Sequence, residues 1–235
     1  MSIQPERGPG GNRPGDPGVC RRQPSPERPA MTLTAIAINC SLKRSDGESS
    51  STDRMIGLLV SELKKRGIGF RGTIRIADHE VKPGVTSDEG EGDEWPALRG
   101  RILEADILIF GTPIWMGQMS SLAKRVVERM DAFLSETDDR SRMPSFGKIA
   151  LVAVVGNEDG AHCVSAQLYQ ALADTGWTVP ASAVSYWVGE AMGDVDFQDL
   201  PKVPDKVQES AAMAASNAAH LAGLLKERPY PGIEG

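Results

Sequence analysis

Cysteine is scarce in this chain and basic charge is outnumbered, and each shortage narrows what the protein can be. The 235 residues hold three cysteines, Cys20, Cys40 and Cys163. They form no C-x-x-C pair and no metal-binding spacing, and their odd number suits a reducing, cytoplasmic compartment better than a disulfide framework. Lys and Arg number 26 against 32 Asp and Glu, a formal charge of −6. No basic stripe interrupts that balance, so neither nucleic acid nor an anionic membrane is an expected partner. No run is long and apolar enough to cross a bilayer, and the first residues lack the apolar stretch of a secretory signal. The glycine-rich phosphate signatures G-x-x-x-x-G-K-[ST] and G-x-G-x-x-G are also missing.

What is present is enough apolar material for one core: 40% of the residues are hydrophobic and 25% charged. Residues 1–30 are crowded with Pro, Gly and Arg and nearly free of aliphatic side chains. Such a stretch cannot bury enough surface to offset the entropy of ordering, so a disordered tail is expected, with a folded domain over residues 31–235. Met31 stands immediately before the first plausible strand, where the folded unit is expected to begin.

The segment from Ile107 to Leu134 organises the rest. Ile107 to Phe110 is an uninterrupted apolar run, as in a strand covered on both faces. Gly-Thr-Pro then breaks the run, and Leu122, Val126, Val127, Met130, Phe133 and Leu134 recur at helical spacing. The same strand, loop, helix order recurs elsewhere. Leu33 to Asn39 leads through a hydroxyl-rich loop into a helix reaching Arg66, with Met55, Leu58, Leu59 and Leu63 as its stripe and Gly67 beyond its end. Phe70 to Ile76 is a second strand, Asp78 to Glu94 a polar surface excursion, and Trp95 to Ala105 a short helix. Lys148 to Val155 is a fourth strand, Ala161 to Thr175 a helix, Val179 to Val188 a fifth strand, and Pro204 to Lys226 a closing helix. This alternation predicts an α/β fold with a doubly wound, five-stranded parallel sheet.

In such sheets ligands lie beyond the carboxyl ends of the strands, and three loops qualify: Ser41 to Thr52, Thr112 to Gly117 and Gly156 to His162. The first offers Ser41, Lys43, Ser51 and Thr52 at a helix entrance, where free N–H groups and the positive dipole end suit phosphate. Ser51 or Thr52 as a plain helix cap is the competing reading. In the second loop Pro113 stiffens the backbone, Gly117 permits a turn, and Trp115 puts a broad ring at the rim for a flat aromatic ligand. His162 can bond to a ligand as neutral imidazole or be structural. Trp95, Trp177, Trp187 and Cys163 read as packing residues, and Lys124 with Glu128 as a helix-surface pair.

Taken together, the three loops resemble those of the flavodoxin-like NAD(P)H-dependent FMN reductase family, which includes quinone reductases. The first resembles that family's phosphate loop, with Ser41, Lys43, Ser51 and Thr52. The second resembles its P-x-[YW]-x-G loop in Pro113, Trp115 and Gly117, followed by Lys124 and Glu128. The third, G-N-E-D-G-A-H, resembles the loop closing the far flavin edge. The resemblance implies strand order 2-1-3-4-5 and FMN as cofactor, with NADH or NADPH as co-substrate. It implies a small-molecule electron acceptor such as a quinone or flavin, and a homodimer or homotetramer. FMN contacts are implied for Ser41, Lys43, Ser51, Thr52, Thr112, Pro113, Ile114, Trp115, Met116, Gly117, Gly156, Asn157, Glu158, Asp159, Gly160 and His162. Backbone amides of Thr112 to Gly117 and Gly156 to Gly160 would face the flavin, while Glu158 and Asp159 shape their loop. A flavodoxin-type one-electron carrier and a flavin-free regulatory module are the rival readings on the same fold.

Overall fold

The computed structural model describes residues 32–47 and 49–233, so the expectations for the tail and for Met31 lie outside the described residues. Strands β1 (Thr34–Asn39), β3 (Ile107–Trp115) and β5 (Ile149–Gly156) form the centre of the sheet. All three are apolar runs buried on both faces, the condition for a parallel sheet with helices on either side. Flanking them are β2 (Gly69–Arg75) and β6 (Val184–Val188), and the two-residue β4 (Gln118–Met119) pairs antiparallel with the end of β3. The parallel strands run in the order β2-β1-β3-β5-β6, the expected 2-1-3-4-5 topology once β4 is set aside. Register breaks between Ala35 and Ala37, where β2 carries one extra residue and Gly72 has φ of 112°.

One sheet face is covered by α1 (Ser51–Lys64) and α5 (Asp205–Glu227), whose apolar stripes meet Ala35, Ala37, Ile107, Ile109, Leu151 and Val155. The other is covered by α2 (Trp95–Leu103), α3 (Ser121–Met130) and α4 (Ala161–Asp174) against Ile36, Ile38, Leu108, Phe110 and Val152. Alternation of side chains along each strand produces this division. Among the described residues no helix is long and apolar enough to cross a membrane.

Several expected boundaries move. The segment Thr112 to Trp115 is strand, not loop, because β5 continues to pair with β3 as far as Pro113 opposite Val155. β1 has already ended opposite Gly111, so the missing proline N–H breaks no ladder with it. The fifth parallel strand starts at Val184 rather than Val179, since Pro180 lacks a donor and Ser182 turns with φ of 57°. The polar stretch Asp78 to Glu94 is not a free surface excursion: Val81 is buried, and Asp93 meets Arg129 of α3 in an ion pair whose side chains are both 0% exposed. Arg129 also donates to the carbonyls of Thr86 and Lys82, each at 3.0 Å.

Candidate functional site

β1 ends in Asn39, a fully buried polar residue that determines the shape of the first loop. Its amide nitrogen donates to the Ser50 hydroxyl (3.2 Å) and the Asp53 carboxylate (2.6 Å), and its oxygen accepts from the Ser41 N–H (2.8 Å). Ser50 in turn accepts from the Asp53 N–H at 3.2 Å, while Asp53 accepts from the Ser50 N–H at 3.1 Å. This reciprocal pair is a capping box, so Ser50, and neither Ser51 nor Thr52, caps α1. Arg75, at the end of β2, pairs with Asp53 and donates to the Lys43 carbonyl, which offsets the acidic charge at the helix entrance. The N–H groups of Ser51 and Thr52 are left without an intrahelical partner, and the helix dipole adds to their pull on an anion. The Ser51 hydroxyl accepts from the Gln198 N–H at 3.2 Å, and Arg54, one turn on, holds the carbonyls of Phe197, Gln198 and Leu200. Residues 196–200 thereby form a wall of the site.

The second and third loops touch. Gly160 has φ of 131°, and a Cβ placed on it would lie 2.9 Å from the Gly117 backbone, so a side chain would separate the loops. The Glu158 carboxylate accepts from the N–H groups of Met116 (3.0 Å) and Gly117 (3.2 Å). Those two amides, expected to face the ligand, are thus satisfied within the protein. Glu158 shapes the loop pair, as its position suggested. Asn157 makes the other tie: its side chain donates to the Gly193 carbonyl at 2.8 Å, and its carbonyl accepts from the Met192 N–H at 3.0 Å.

A cleft at the carboxyl ends of the strands gathers Ser41, Lys43, Ser51, Thr52, Pro113, Ile114, Trp115, Gly156 and Asn157. It also includes Leu42, Ser50, Val155, Trp187 and Asp196, none of which the sequence marks as a ligand contact. Trp187 packs on Phe197 (ring centroids 5.5 Å apart) as expected, and additionally lines the cleft. Thr112 is fully buried away from it, donating to the Pro113 carbonyl (2.9 Å) and accepting from the Ser120 N–H (3.2 Å). That bond steadies Ser120, the cap of α3. Met116, Gly117 and Glu158 stand at the rim without lining the cleft. Asp159, Gly160 and His162 line a separate hollow with Cys163 and Tyr186, where the His162 ring meets Tyr186 edge-on at 5.4 Å. Cys163, expected in the core, is exposed there. Lys124 and Glu128 form an exposed pair at 3.6 Å on α3, remote in role from the cleft.

The donor set fits a phosphate monoester: two helix N–H groups, the hydroxyls of Ser41, Ser51 and Thr52, and the Lys43 side chain, with Asp53 already neutralised by Arg75. The cleft is open on one side and measures ≈ 130 Å³, below the roughly 300–1,000 Å³ of pockets that engulf a whole ligand. Trp115, which is 54% exposed, stands at its mouth.

Comparison with known proteins agrees with this geometry. Residues 33–191 match the family described as NADPH-dependent FMN reductase. Over 218 residues the chain is 32% identical to 8-demethyl-8-aminoriboflavin-5′-phosphate synthase of Streptomyces davaonensis, covering 85% of this chain and 81% of that protein. It is 35% identical over 202 residues to a Mycobacterium bovis protein named divalent metal cation transporter MntH. That match covers 83% of this chain but 29% of the relative, so the chain spans under a third of its length. Among solved structures, RosB with bound 8-demethyl-8-formylriboflavin-5′-phosphate superposes with a TM-score of 0.75 at 30% identity, covering 85% of this chain and 82% of that one. The apo form of the NADH:FMN oxidoreductase EmoB superposes at 0.59 with 20% identity, covering 86% and 96%, a likeness of fold. By the family match across most of its described length, this chain belongs to the NADPH-dependent FMN reductase family.

Proposed function

We propose that the cleft binds FMN and that the protein is an oxidoreductase passing a hydride from NADH or NADPH, by way of that flavin, to a small-molecule acceptor such as a quinone or a second flavin. The carrying observation is the convergence of the Ser41, Ser51 and Thr52 donors with Trp115, Gly156 and Asn157 in one cleft whose mouth stays open. Bound FMN supplies the hydride chemistry, and the protein's part is to hold, orient and shield it. Ser51 and Thr52 grip the phosphate at the helix entrance, with Lys43 adding charge. Trp115 offers an exposed aromatic face for the ring. Gly156 keeps the floor low, since a Cβ there would lie 2.9 Å from that of Ile114. The same reading places the protein in the cytoplasm as a homodimer or homotetramer, a state that light scattering reads directly.

A second reading is supported by two of the matches at 30% identity or more, one named for making an aminated flavin phosphate and one holding a formylated flavin phosphate. In it, the flavin phosphate is substrate rather than resident cofactor. One experiment separates the two. FMN-loaded protein is mixed with NADH and with NADPH, and a parallel sample held in air with an amino-group donor is extracted so that its flavin can be weighed by mass analysis. Rapid loss of flavin colour with an unchanged recovered flavin is expected. Colour unaltered by both nucleotides refutes the reductase, and a changed flavin mass establishes the second reading instead.

A further inference from the structure

Among the described residues that line the cleft, Asp196 alone carries a carboxylate. No donor or cation among the described residues meets it, and it does not cap the short helical turn Phe197–Asp199 that it precedes. Other polar groups of the lining are engaged: the Ser50 hydroxyl caps α1, the Ser51 hydroxyl accepts from the Gln198 N–H, and the Asn157 side chain donates to the Gly193 carbonyl. The backbone that carries Asp196 is nonetheless firmly held. Phe197 is fully buried, packs on Trp187 and lies under the Arg54 guanidinium, 5.3 Å from the ring centroid. Arg54 also donates to the carbonyls of Phe197 (2.6 Å), Gln198 (2.9 Å) and Leu200 (2.7 Å). Two residues of chain span at most about 7 Å, so the bond from Gln198 to Ser51 keeps Asp196 close to the phosphate end of the cleft. A carboxylate there repels an anion, and its presence in the lining is accounted for only if it serves another part of the ligand.

We propose that Asp196 is a specificity residue that accepts hydrogen bonds from hydroxyl groups on the polyol chain joining the phosphate of the ligand to its ring. The proposal rests on the FMN reading above, and needs only what both readings of the cleft share, a flavin phosphate lying in it. An ionised carboxylate accepts and never donates, so it cannot serve a phosphate, which has only acceptors to offer. The hydroxyls that follow the phosphate along the chain are donors, and a bond from a hydroxyl to a carboxylate is among the stronger hydrogen bonds. A ligand without those hydroxyls would leave the carboxylate facing the cleft unpaired, so the same group that favours a polyol chain discriminates against its absence. Arg54 acts through the backbone of residues 197–200 and is a positioning residue for this contact. The match to the reductase family ends at residue 191, so Asp196 lies in a part of the chain beyond the matched region.

The test compares Asp196→Ala and Asp196→Asn with the parent chain by fluorescence titration against two ligands. One is FMN, and the other is a flavin with the same ring and a phosphorylated alkyl chain of the same length that lacks hydroxyls. Asp196→Ala is expected to bind FMN about ten- to a hundredfold more weakly than the parent, the fold-change of one charge-assisted hydrogen bond. Its affinity for the hydroxyl-free flavin should equal the parent's or exceed it, so that the preference for FMN shrinks by the same factor. Asp196→Asn keeps an acceptor without the charge and should fall between the two proteins on FMN. Parent-like FMN affinity in Asp196→Ala overturns the proposal. Tighter FMN binding by Asp196→Asn overturns it too, because the carboxylate would then act on the phosphate by repulsion. A loss shared equally by both ligands overturns it by assigning Asp196 to the ring or to the shape of the wall. A parent chain that binds neither ligand refutes the FMN reading itself and this proposal with it, whereas the other outcomes leave that reading standing.

Discussion

Replacing Asp93 by alanine strands a charge in the core. Arg129 and Asp93 are both 0% exposed, and the guanidinium keeps only the Thr86 and Lys82 carbonyls when the carboxylate goes. Breaking one partner of a buried ion pair costs about 3–5 kcal/mol, because the remaining charge is uncompensated. Three backbone donors lose their acceptor as well: the N–H groups of Lys82 (3.3 Å), Glu89 (2.9 Å) and Trp95 (3.2 Å). These place the expected loss toward the upper end, about 4–5 kcal/mol. For a domain of this size that corresponds to a melting temperature lower by roughly 10–20 °C. Urea and thermal unfolding followed by circular dichroism measure it, with the urea slope checked for two-state behaviour. A loss below about 1 kcal/mol would refute the reasoning, since it would mean that Arg129 reaches water. The double variant Asp93→Leu, Arg129→Met should recover much of the loss by replacing the pair with apolar volume. The pair also has a pH signature. Burial alone would raise the Asp93 carboxyl, but the Arg129 bond and the N–H groups of Glu89, Trp95 and Lys82 outweigh it and hold the group far below the usual carboxylate range. A folded-state value below the unfolded value of about 3.9 contributes stability that is complete above that value and lost as pH falls through the folded one. Below about pH 4 the parent should therefore lose stability more steeply than Asp93→Ala.

Other outcomes follow from the cleft. Ser51→Ala combined with Thr52→Ala should weaken FMN binding by a few kcal/mol, at roughly 1.5–3 kcal/mol per charge-assisted bond, while Ser50 keeps the helix capped; unchanged FMN affinity by calorimetry moves the phosphate elsewhere. FMN should quench the fluorescence of Trp115, and a Trp115→Phe variant with the parent's quenching amplitude would remove that residue from the ring. Gly160→Ala should destabilise by about 1–3 kcal/mol and part the two loops, because its φ of 131° and the Gly117 backbone at 2.9 Å both exclude a methyl group. Denaturation midpoints check it, and a neutral result would mean that the loop shifts without cost.

The central strands were legible because LTAIAIN, ILIF and KIALVAVV are too short for helices and too apolar for half-exposed strands. The cleft was legible in part for a related reason: hydroxyls, Pro-x-Trp-x-Gly and paired glycines follow those strands at the end where such sheets bind ligands. What stayed hidden depended on distance in sequence. Arg129 reads as one more charge on an amphipathic helix, since its partner lies 36 positions away. Trp187 and Asp196 enter the cleft only after β6 is laid beside β5. Four consecutive hydroxyl residues, Ser49 to Thr52, cannot be ranked as caps by type. The spacing from Ser50 to Asp53 was the available signal, and buried Asn39 decides between them. Glu158 took amides intended for a ligand because a carboxylate within reach of two N–H groups makes charge-assisted bonds without waiting for one.

The irregular outer strand has a further consequence, for self-association. An edge strand offers a row of unpaired donors and acceptors on which a neighbouring chain can build. Here β2 interrupts that row with an extra residue and a left-handed Gly72, and it carries Arg71, paired with Glu104, along the strand. An incoming strand would meet a bulge that twists the edge away and charges that resist desolvation. That kink thus disfavours the pairing of a further strand along β2. An assembly of identical copies is therefore expected to use a surface other than the free edge of β2.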